Sequence, residues 1–405
     1  GFRKLLSGSV DLSKSTIYMS QGKYVMSEES GLGVIVRKNV KAIKGGYSQF
    51  SEGTDVSARD IDTYVTVISG DVNGNKQADA GDCGLLLVKK GHITIEGVTF
   101  QYGYVSEADA STTECGSGIY VSGGAGDTSI ELTDCVIRDC TSGVTTSAKQ
   151  GGPAVFVLSG QVRLNNVNLL DNTAVGRGGA VRCNSKTAVV FMNGCLLKGN
   201  SHNGSWGNGI QMSEGHICIN NTTLIDNMGT GAALNGGGSI LLTNNTIIGN
   251  TSDSHGAVRC ETGVGGDTKF INNLLLSENP SAPSFNLNGS NFEAFSKGYN
   301  VYQRVTEIPM SASDTAYPNP VNGTLDEKGV YVWDLNQIGS VKGYATKQAV
   351  IEVAKSFNPV ASPIANLGEV FVEWVGEDAF GIDQRGVTRN ANKMQAGAYD
   401  AVLTN

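Results

Sequence analysis

The feature that most constrains this chain is an eleven-residue pattern that returns along its middle part. In Ile217–Asn227, which reads ICINNTTLIDN, small or apolar residues occupy the first, third, sixth and eighth places, and asparagine occupies the last. Copies of this pattern begin at residues 93, 130, 162, 190, 217, 240 and 269, at intervals of roughly 23 to 37 residues. Repeats of this length are typical of stacked supersecondary units that bury their apolar faces only against their neighbours. The pattern therefore predicts a solenoid.

A second short apolar segment follows most copies and predicts a second strand in each coil. These segments read GIYV, AVFV, AVRC, GIQM and AVRC, and they begin at residues 118, 154, 180, 209 and 257. Alternation along a strand turns the second and fourth residues inward and the third outward. The expected fold is all-β, a parallel β-helix with N-terminal first coils and a degenerate C-terminal cap. The outward third residues would form one row: Tyr120, Phe156, Arg182, Gln211 and Arg259.

Asparagines at the last place of the pattern would lie one above another if the coils stack in register. Side-chain amides at equivalent places of stacked strands hydrogen-bond along the stack. The same residues also suit left-handed turn positions, and the two interpretations are compatible. The asparagines in question are Asn172, Asn200, Asn227, Asn250 and Asn279.

Composition excludes two classes of function. The 405 residues carry a formal net charge of −8 and no cluster of lysine or arginine, whereas nucleic-acid binders present a basic surface. No apolar run approaches the roughly 18 residues that a membrane-spanning helix needs. We therefore expect no nucleic-acid partner and no transmembrane segment.

The eight cysteines do not show a disulfide framework. Cys135 and Cys195 share one inward place but lie two coils apart, roughly 10 Å at the strand spacing, which is too far for a disulfide. Cys183 and Cys260 lie three coils apart at another shared place. We expect these four to be buried small apolar residues. The pairing of the others stays open: Cys83, Cys115, Cys140 and Cys218.

The two ends of the chain depart from the repeat. Residues 1–90 are predicted to form an N-terminal cap and first coils, residues 91–304 the regular coils, and residues 305–405 a C-terminal cap segment, all within one continuous structural unit. Ala345–Phe357 has apolar residues at helical spacing and ends shortly before Pro359. It therefore predicts a short helix in the cap.

Motifs at both ends resemble those of a known group of proteins. The opening region contains TIYMSQGKYV, IKGGYSQF and TVISGDVNGN in that order, and the closing segment Ala379–Ala401 reads AFGIDQRGVTRNANKMQAGAYDA. Together with the repeats, these motifs resemble the SGD-x-NG opening and the DQRG…GAY closing signature of a group of right-handed parallel β-helix proteins in the pectin-lyase-like superfamily. Asp400 stands where that group usually has glutamate. The resemblance implies a secreted or envelope-attached protein whose fold is shared with pectin and pectate lyases.

A twelve-residue stretch, Asp71–Asp82, has the spacing of a calcium-binding loop. Oxygen-bearing side chains occupy its places 1, 3, 5, 9 and 12, a spacing that lets a loop wrap a hard cation. Lys76 stands at place 6, where such loops have glycine, and the alternative is a polar surface turn. The predicted calcium ligands are Asp71, Asn73, Asn75, Asp79 and Asp82.

The outward row suggests a glycan-binding groove, because aromatic rings stack on sugars and arginine binds carboxylate or sulfate with two hydrogen bonds. In the alternative, Tyr120 and Phe156 pack under the connections at residues 104–116 and 141–152 or under the C-terminal segment, and the arginines pair with nearby acids. Trp206 would border the groove.

Asp253, His255 and Arg259 lie within seven residues and form a candidate catalytic trio of acid, base and charge stabiliser. The sequence shows none of the catalytic motifs of polygalacturonases or pectate lyases. The leading hypothesis is therefore a non-catalytic, secreted or cell-surface protein that binds glycans or mediates adhesion. The alternatives are an atypical lyase or glycoside hydrolase for acidic polysaccharides, and a rigid spacer.

Overall fold

The computed structural model describes residues 2–26, 33–51, 54–108, 116–124, 126–146, 151–204, 206–251, 256–261, 267–277, 284–288, 296–303, 311–317, 323–326, 330–333 and 341–400. The chain divides into two compact units. The first unit comprises residues 1–190 and 200–204, and the second comprises residues 191–199 and 205–405. The boundary between the two units falls within strand β17 (Ala188–Asn193).

The first unit begins with α1 (Phe2–Ser7) and continues as stacked coils of parallel strands. One sheet pairs β1 (Leu12–Ser20), β4 (Val40–Tyr47), β6 (Leu86–Glu96), β10 (Thr128–Thr133) and β13 (Val155–Asn165) in that order. β3 (Val34–Arg37), β9 (Ile119–Ser122) and β16 (Val181–Cys183) pair with the opening halves of β6 and β13. A further sheet contains β2 (Gly22–Val25), β5 (Thr66–Ser69), β7 (Thr99–Gln101), β11 (Val136–Arg138) and β14 (Asn168–Leu170). The last contains β8 (Tyr104–Val105), β12 (Thr141–Ser142), β15 (Thr173–Ala174) and β19 (Ser201–His202).

The second unit repeats this arrangement. One sheet pairs β21 (His216–Asn220), β24 (Ser239–Thr243) and β27 (Thr268–Ile271). Another pairs β20 (Ile210–Met212), β23 (Leu234–Gly236), β26 (Val258–Glu261) and β29 (Phe285–Asn288). A third pairs β18 (Leu196–Lys198), β22 (Thr223–Ile225), β25 (Thr246–Ile248), β28 (Leu274–Leu275), β30 (Val301–Tyr302) and β31 (Thr315–Ala316). An antiparallel pair, β32 (Gly323–Leu325) and β33 (Tyr331–Trp333), precedes α2 (Lys347–Lys355) and α3 (Leu367–Val375).

The predicted register is confirmed in both units. In the first unit Ile130 pairs with Ile93 on one side and with Val162 on the other, so three copies of the pattern align place for place. In the second unit Ile217 pairs with Ile240. The inward third places are fully buried within their units, as at Leu164, Met192, Ile219 and Leu242.

The register predicted for the last copy is wrong by one residue. Ile240 pairs with Thr268 rather than with Lys269, and Leu242 pairs with Phe270. The copy therefore begins at Thr268, which places Phe270 inward and leaves Lys269 on the outside of the strand. A slip of one residue exchanges the two faces of a strand, and the burial of Phe270 selects the observed register.

Asparagine ladders connect neighbouring coils, as predicted. Asn172 Nδ2 donates to Asn200 Oδ1 at 2.9 Å in the first unit, and Asn227 Nδ2 donates to Asn250 Oδ1 at 2.7 Å in the second. Asn279 lies outside the described residues. A second ladder, absent from the prediction, runs through the second unit and links Asn245, Asn273, Asn300 and Asp314.

The closing segment, residues 345–400, lies along the side of several coils of the second unit. Thr346 caps the N-terminus of α2, because its side chain accepts a hydrogen bond from Ala349 N, and α2 falls within the predicted helix. α3 was not predicted. The segment makes hydrogen bonds to successive coils. Gln384 Nε2 donates to Cys195 O at 2.8 Å, and Thr223 Oγ1 donates to Gln384 Oε1 at 2.6 Å. Ala398 N donates to Thr246 Oγ1, and Gly397 N donates to Asn272 O, both at 2.9 Å.

A buried arginine holds this segment in place. The side chain of Arg389 is 0% exposed and donates to Asn221 Oδ1 at 2.9 Å, to Gly397 O at 2.9 Å and to Gln395 O at 3.2 Å. Burial lowers the pKa of Arg389 to about 10, so the guanidinium stays charged at neutral pH. The closing signature therefore has a structural role, since its arginine joins the segment to a coil.

Candidate functional site

The predicted groove is covered in the first unit. Tyr120 and Phe156 are adjacent in register, as expected, but their side chains are 0% and 1% exposed. Their rings pack with Leu87, Val105 and Val144 in one apolar cluster. The prediction that the two rings face solvent is therefore wrong, and the alternative, packing under the adjacent connections, accounts for their burial.

A carboxylate links the two connections that contribute Val105 and Val144 to this cluster. Glu107 follows β8, and its side chain accepts hydrogen bonds from Thr145 N at 2.6 Å, Thr145 Oγ1 at 3.0 Å and Thr146 N at 3.1 Å. Thr146 Oγ1 also donates to it. These bonds, that of the Thr146 hydroxyl first, lower the pKa of Glu107 to about 2. The carboxylate is therefore ionised at neutral pH and fixes the two connections to each other.

Arg182 belongs to the same covered region. It pairs with Phe156 across β13 and β16, and it is 6% exposed. Its guanidinium lies 5.7 Å from the centre of the Phe156 ring and donates to Asn184 Oδ1 at 3.1 Å. Arg182 is thus buried against a ring rather than presented to solvent.

In the second unit the outward row continues through Gln211, Asn235 and Arg259, which are paired in register. Gln211 is 4% exposed and its Oε1 accepts from Gly207 N at 2.8 Å and from Asn235 Nδ2 at 3.1 Å. Asn235 is fully buried, and its Oδ1 accepts no hydrogen bond from any described residue. Sequence reasoning missed Asn235 because its segment, GAALNGGG, has too few apolar residues to be aligned with the other second strands.

Arg259 of this row and Trp206, which borders it, are accessible to solvent. Both are half-buried, and the guanidinium of Arg259 lies 5.9 Å from the centre of the Trp206 ring, within the range of a cation–π contact. The pair combines an aromatic surface with a cation that can bind carboxylate or sulfate.

The backbone around Trp206 is held by the next coil. Trp206 has a φ of 100°, which is rare for a residue with a side chain. A Cβ on Gly231 would lie 1.2 Å from the Trp206 carbonyl oxygen, so only glycine fits there. Asn208 Oδ1 accepts from Gly231 N at 3.2 Å, and Asn208 N donates to Ala232 O at 2.7 Å. The tryptophan is therefore positioned before any ligand binds.

The candidate catalytic trio is not assembled by the described residues, because Asp253 and His255 lie outside them. Arg259 is described and contacts Trp206 as given above. Among the described ranges, no group of three or more histidine, cysteine, aspartate or glutamate side chains is arranged to hold a metal ion.

The loop from Asp71 to Asp82 forms a compact polar turn. Asn73 Nδ2 and Asn75 Nδ2 donate to the two carboxylate oxygens of Asp79, at 3.0 Å and 2.7 Å. Asp82 accepts from Val72 N at 2.9 Å and from Asp79 N at 3.1 Å, which closes the loop. The structure thus brings together Asn73, Asn75 and Asp79, and calcium binding there stays a prediction.

The described cysteines are buried and form no disulfide bond, which fits the expectation for Cys135, Cys183, Cys195 and Cys260. It also answers the open question for three others: Cys83, Cys140 and Cys218. Burial raises the pKa of the Cys183 thiol to about 12. Cys115 lies outside the described residues.

Comparison with known proteins supports the architecture. A family model described as right handed beta helix region matches residues 64–275, which is more than half of the chain. The chain belongs to the right-handed β-helix family. Neither the curated proteins nor the solved structures that were searched gave a match. No helix among the described residues of this β-helix protein is long and apolar enough to cross a membrane.

Proposed function

We propose that this β-helix protein is a non-catalytic glycan-binding protein and that the Trp206–Arg259 pair of the second unit binds an acidic sugar. The observation that carries the proposal is the guanidinium of Arg259 lying 5.9 Å from the Trp206 ring, with both side chains half-buried. A sugar ring packs against the indole, and its carboxylate or sulfate accepts hydrogen bonds from the guanidinium.

The surroundings of the pair favour binding. Asn235, paired with Arg259 in register, is fully buried and donates to Gln211 Oε1 at 3.1 Å, so hydrogen bonds fix the strand next to Arg259. Because a close contact with Gly231 positions Trp206 and strand β26 carries Arg259, little conformational freedom is lost on binding.

Adhesion at a cell surface, after secretion, is the setting that suits such a protein. This part of the proposal rests on the resemblance of both chain ends to secreted or envelope-attached β-helix proteins.

The proposal is tested with a glycan array, followed by calorimetric titration of the best acidic oligosaccharide into wild type, Trp206→Ala, Arg259→Ala and Arg259→Lys. We expect each variant to lose at least tenfold in affinity. Arg259→Lys should lose it although the charge is kept, because lysine lacks the planar fork that binds an anion with two hydrogen bonds. Arg138→Ala is the matched control, since Arg138 is an exposed arginine of the first unit that pairs with Asp139; its affinity should equal that of wild type.

Three results would overturn the proposal. Unchanged affinity in both Trp206→Ala and Arg259→Ala would exclude this site. An array without any signal would favour the rigid spacer. Release of unsaturated sugar products, seen by their ultraviolet absorbance, would favour the lyase.

A further inference from the structure

We propose that the loop from Asp71 to Asp82 binds a calcium ion through Asp71 Oδ1 and the side-chain carbonyl oxygens of Asn73 and Asn75, with Asp79 and Asp82 as positioning residues. This inference goes beyond glycan binding, because the loop belongs to the first unit and the Trp206–Arg259 pair to the second.

The first observation is a buried carboxylate oxygen without a partner. Asp71 is 1% exposed, and its Oδ2 accepts a hydrogen bond from Lys23 Nζ at 2.6 Å. Its Oδ1 is buried and accepts no hydrogen bond from any described residue. A buried, ionised oxygen is stable only when a donor or a cation satisfies it. Lys23 satisfies one oxygen of Asp71 and leaves the other for a second cation.

The carboxylate stands at the first place of the loop, which is a ligand place in calcium loops of this length. Lys76 adopts a φ of 63°, the left-handed conformation that calcium loops of this length require at their sixth place. Lysine at this place is thus compatible with the loop.

Two further oxygens are available. Asn73 Oδ1 accepts from Asn75 N and Asn75 Oδ1 accepts from Gln77 N, both at 2.9 Å. A carbonyl oxygen has two lone pairs, so each keeps one for a cation. The carboxylate of Asp79 holds the nitrogen ends of both amides, at 3.0 Å and 2.7 Å. This orientation directs both oxygens away from Asp79, and Asp82 closes the loop through backbone amides.

The chemistry of these groups favours calcium. Calcium takes six to eight oxygen ligands in flexible geometry and accepts amide carbonyls and water beside carboxylates, whereas magnesium demands near-ideal octahedral geometry. One direct carboxylate gives a weak site. We expect a Kd of roughly 10⁻⁴ to 10⁻³ M, the range of extracellular calcium modules.

The test is calorimetric titration of the metal-free chain with calcium chloride, at constant ionic strength and without glycan, together with melting curves. Wild type should bind calcium saturably and melt at a higher temperature. Asn75→Ala, which leaves the Asp71–Lys23 pair intact, should weaken binding at least tenfold, and so should Asp71→Asn. Asp55→Ala is the matched control, because Asp55 is an exposed aspartate that holds Ser57 in another turn of the same unit; it should bind like wild type.

Absence of saturable binding up to about 10 mM calcium, ten times the weakest Kd expected, would overturn the proposal. Equal binding by wild type and Asn75→Ala would do the same, even if Asp71→Asn fails to fold. A response to magnesium as large as that to calcium would refute the choice of ion.

Discussion

Replacing Asn273 with alanine should destabilise the second unit more than any exposed substitution does. Asn273 Oδ1 accepts from Asn245 N at 2.9 Å and from Asn245 Nδ2 at 3.1 Å. Its Nδ2 donates to Leu242 O, Ile271 O and Asn300 Oδ1, each at 3.0 Å. The side chain is fully buried and therefore joins three neighbouring coils in an environment that excludes water.

The magnitude follows from which groups lose their partners. The backbone amide of Asn245 is left buried without this acceptor, which costs about 1–3 kcal/mol. Asn245 Nδ2 still donates to Ile219 O at 3.0 Å, so its loss is smaller. The broken hydrogen bonds of Asn273 Nδ2 add about 1 kcal/mol each at most, since Leu242 O and Ile271 O keep one lone pair for other donors. We expect the free energy of unfolding to fall by about 3–5 kcal/mol.

The assay is urea denaturation followed by circular dichroism, with hydrogen exchange measured by mass spectrometry on peptides that contain Asn245. At about 1.4 kcal/mol per tenfold, exchange in these peptides should accelerate by a factor of about 10² to 4 × 10³. Asn203→Ala is the control, because Asn203 is exposed in the first unit; it should change stability by less than about 0.5 kcal/mol. A loss below about 1 kcal/mol in Asn273→Ala would refute the argument that buried amides join the coils.

Three further predictions concern other parts of the chain. The pKa of Glu107 in the folded protein, about 2, lies below its unfolded value, so its stabilising effect is present above pH ~4.5 and is lost as the pH falls towards 2. Wild type and Glu107→Gln should therefore differ in the hydrogen-exchange protection of residues 141–146 at neutral pH, and this difference should vanish as the pH falls. A difference that persists at pH 2 would contradict the prediction. Arg389→Met removes a buried cation and leaves its acceptors unpaired, so the closing segment should become sensitive to limited proteolysis at a cost of about 3–5 kcal/mol, whereas the exposed control Lys393→Met should stay resistant. Since the seven described cysteines are buried, at most one of the eight thiols should react with a disulfide reagent before unfolding; reaction of two or more would show that a thiol assigned to the core is accessible.

Apolar spacing was sufficient to predict the coils and most of their register. Six of the seven copies could be aligned because a wrong choice would have placed their apolar residues outside. The copy near Lys269 was misaligned because its first place is polar in either register. The doublet Asn272–Asn273 repeats Asn244–Asn245 and indicates the correct alignment, which apolar spacing alone does not.

The spacing of apolar residues does not predict whether an outward residue of the groove is covered by another part of the chain. Alternation correctly placed Tyr120 and Phe156 on the outside of their strands, but it does not tell which connection folds over that outside. The connections that contribute Val105 and Val144 to the cover meet through Glu107, which is distant in sequence from Thr145 and Thr146. α3 was missed although Leu367, Phe371 and Trp374 have helical spacing, and its Phe371 packs against Phe191 in the second unit.

The closing segment has a consequence for how this protein can evolve. Solenoids ordinarily lengthen or shorten by whole repeats, since each repeat contacts only its neighbours. Here Gln384, Ala398 and Gly397 meet fixed positions on successive coils, about 4.8 Å apart. Duplicating or deleting a coil between Cys195 and Asn272 would shift those positions by one full step and leave Arg389 facing the wrong acceptor. The closing segment thus fixes the number of coils in this part of the molecule.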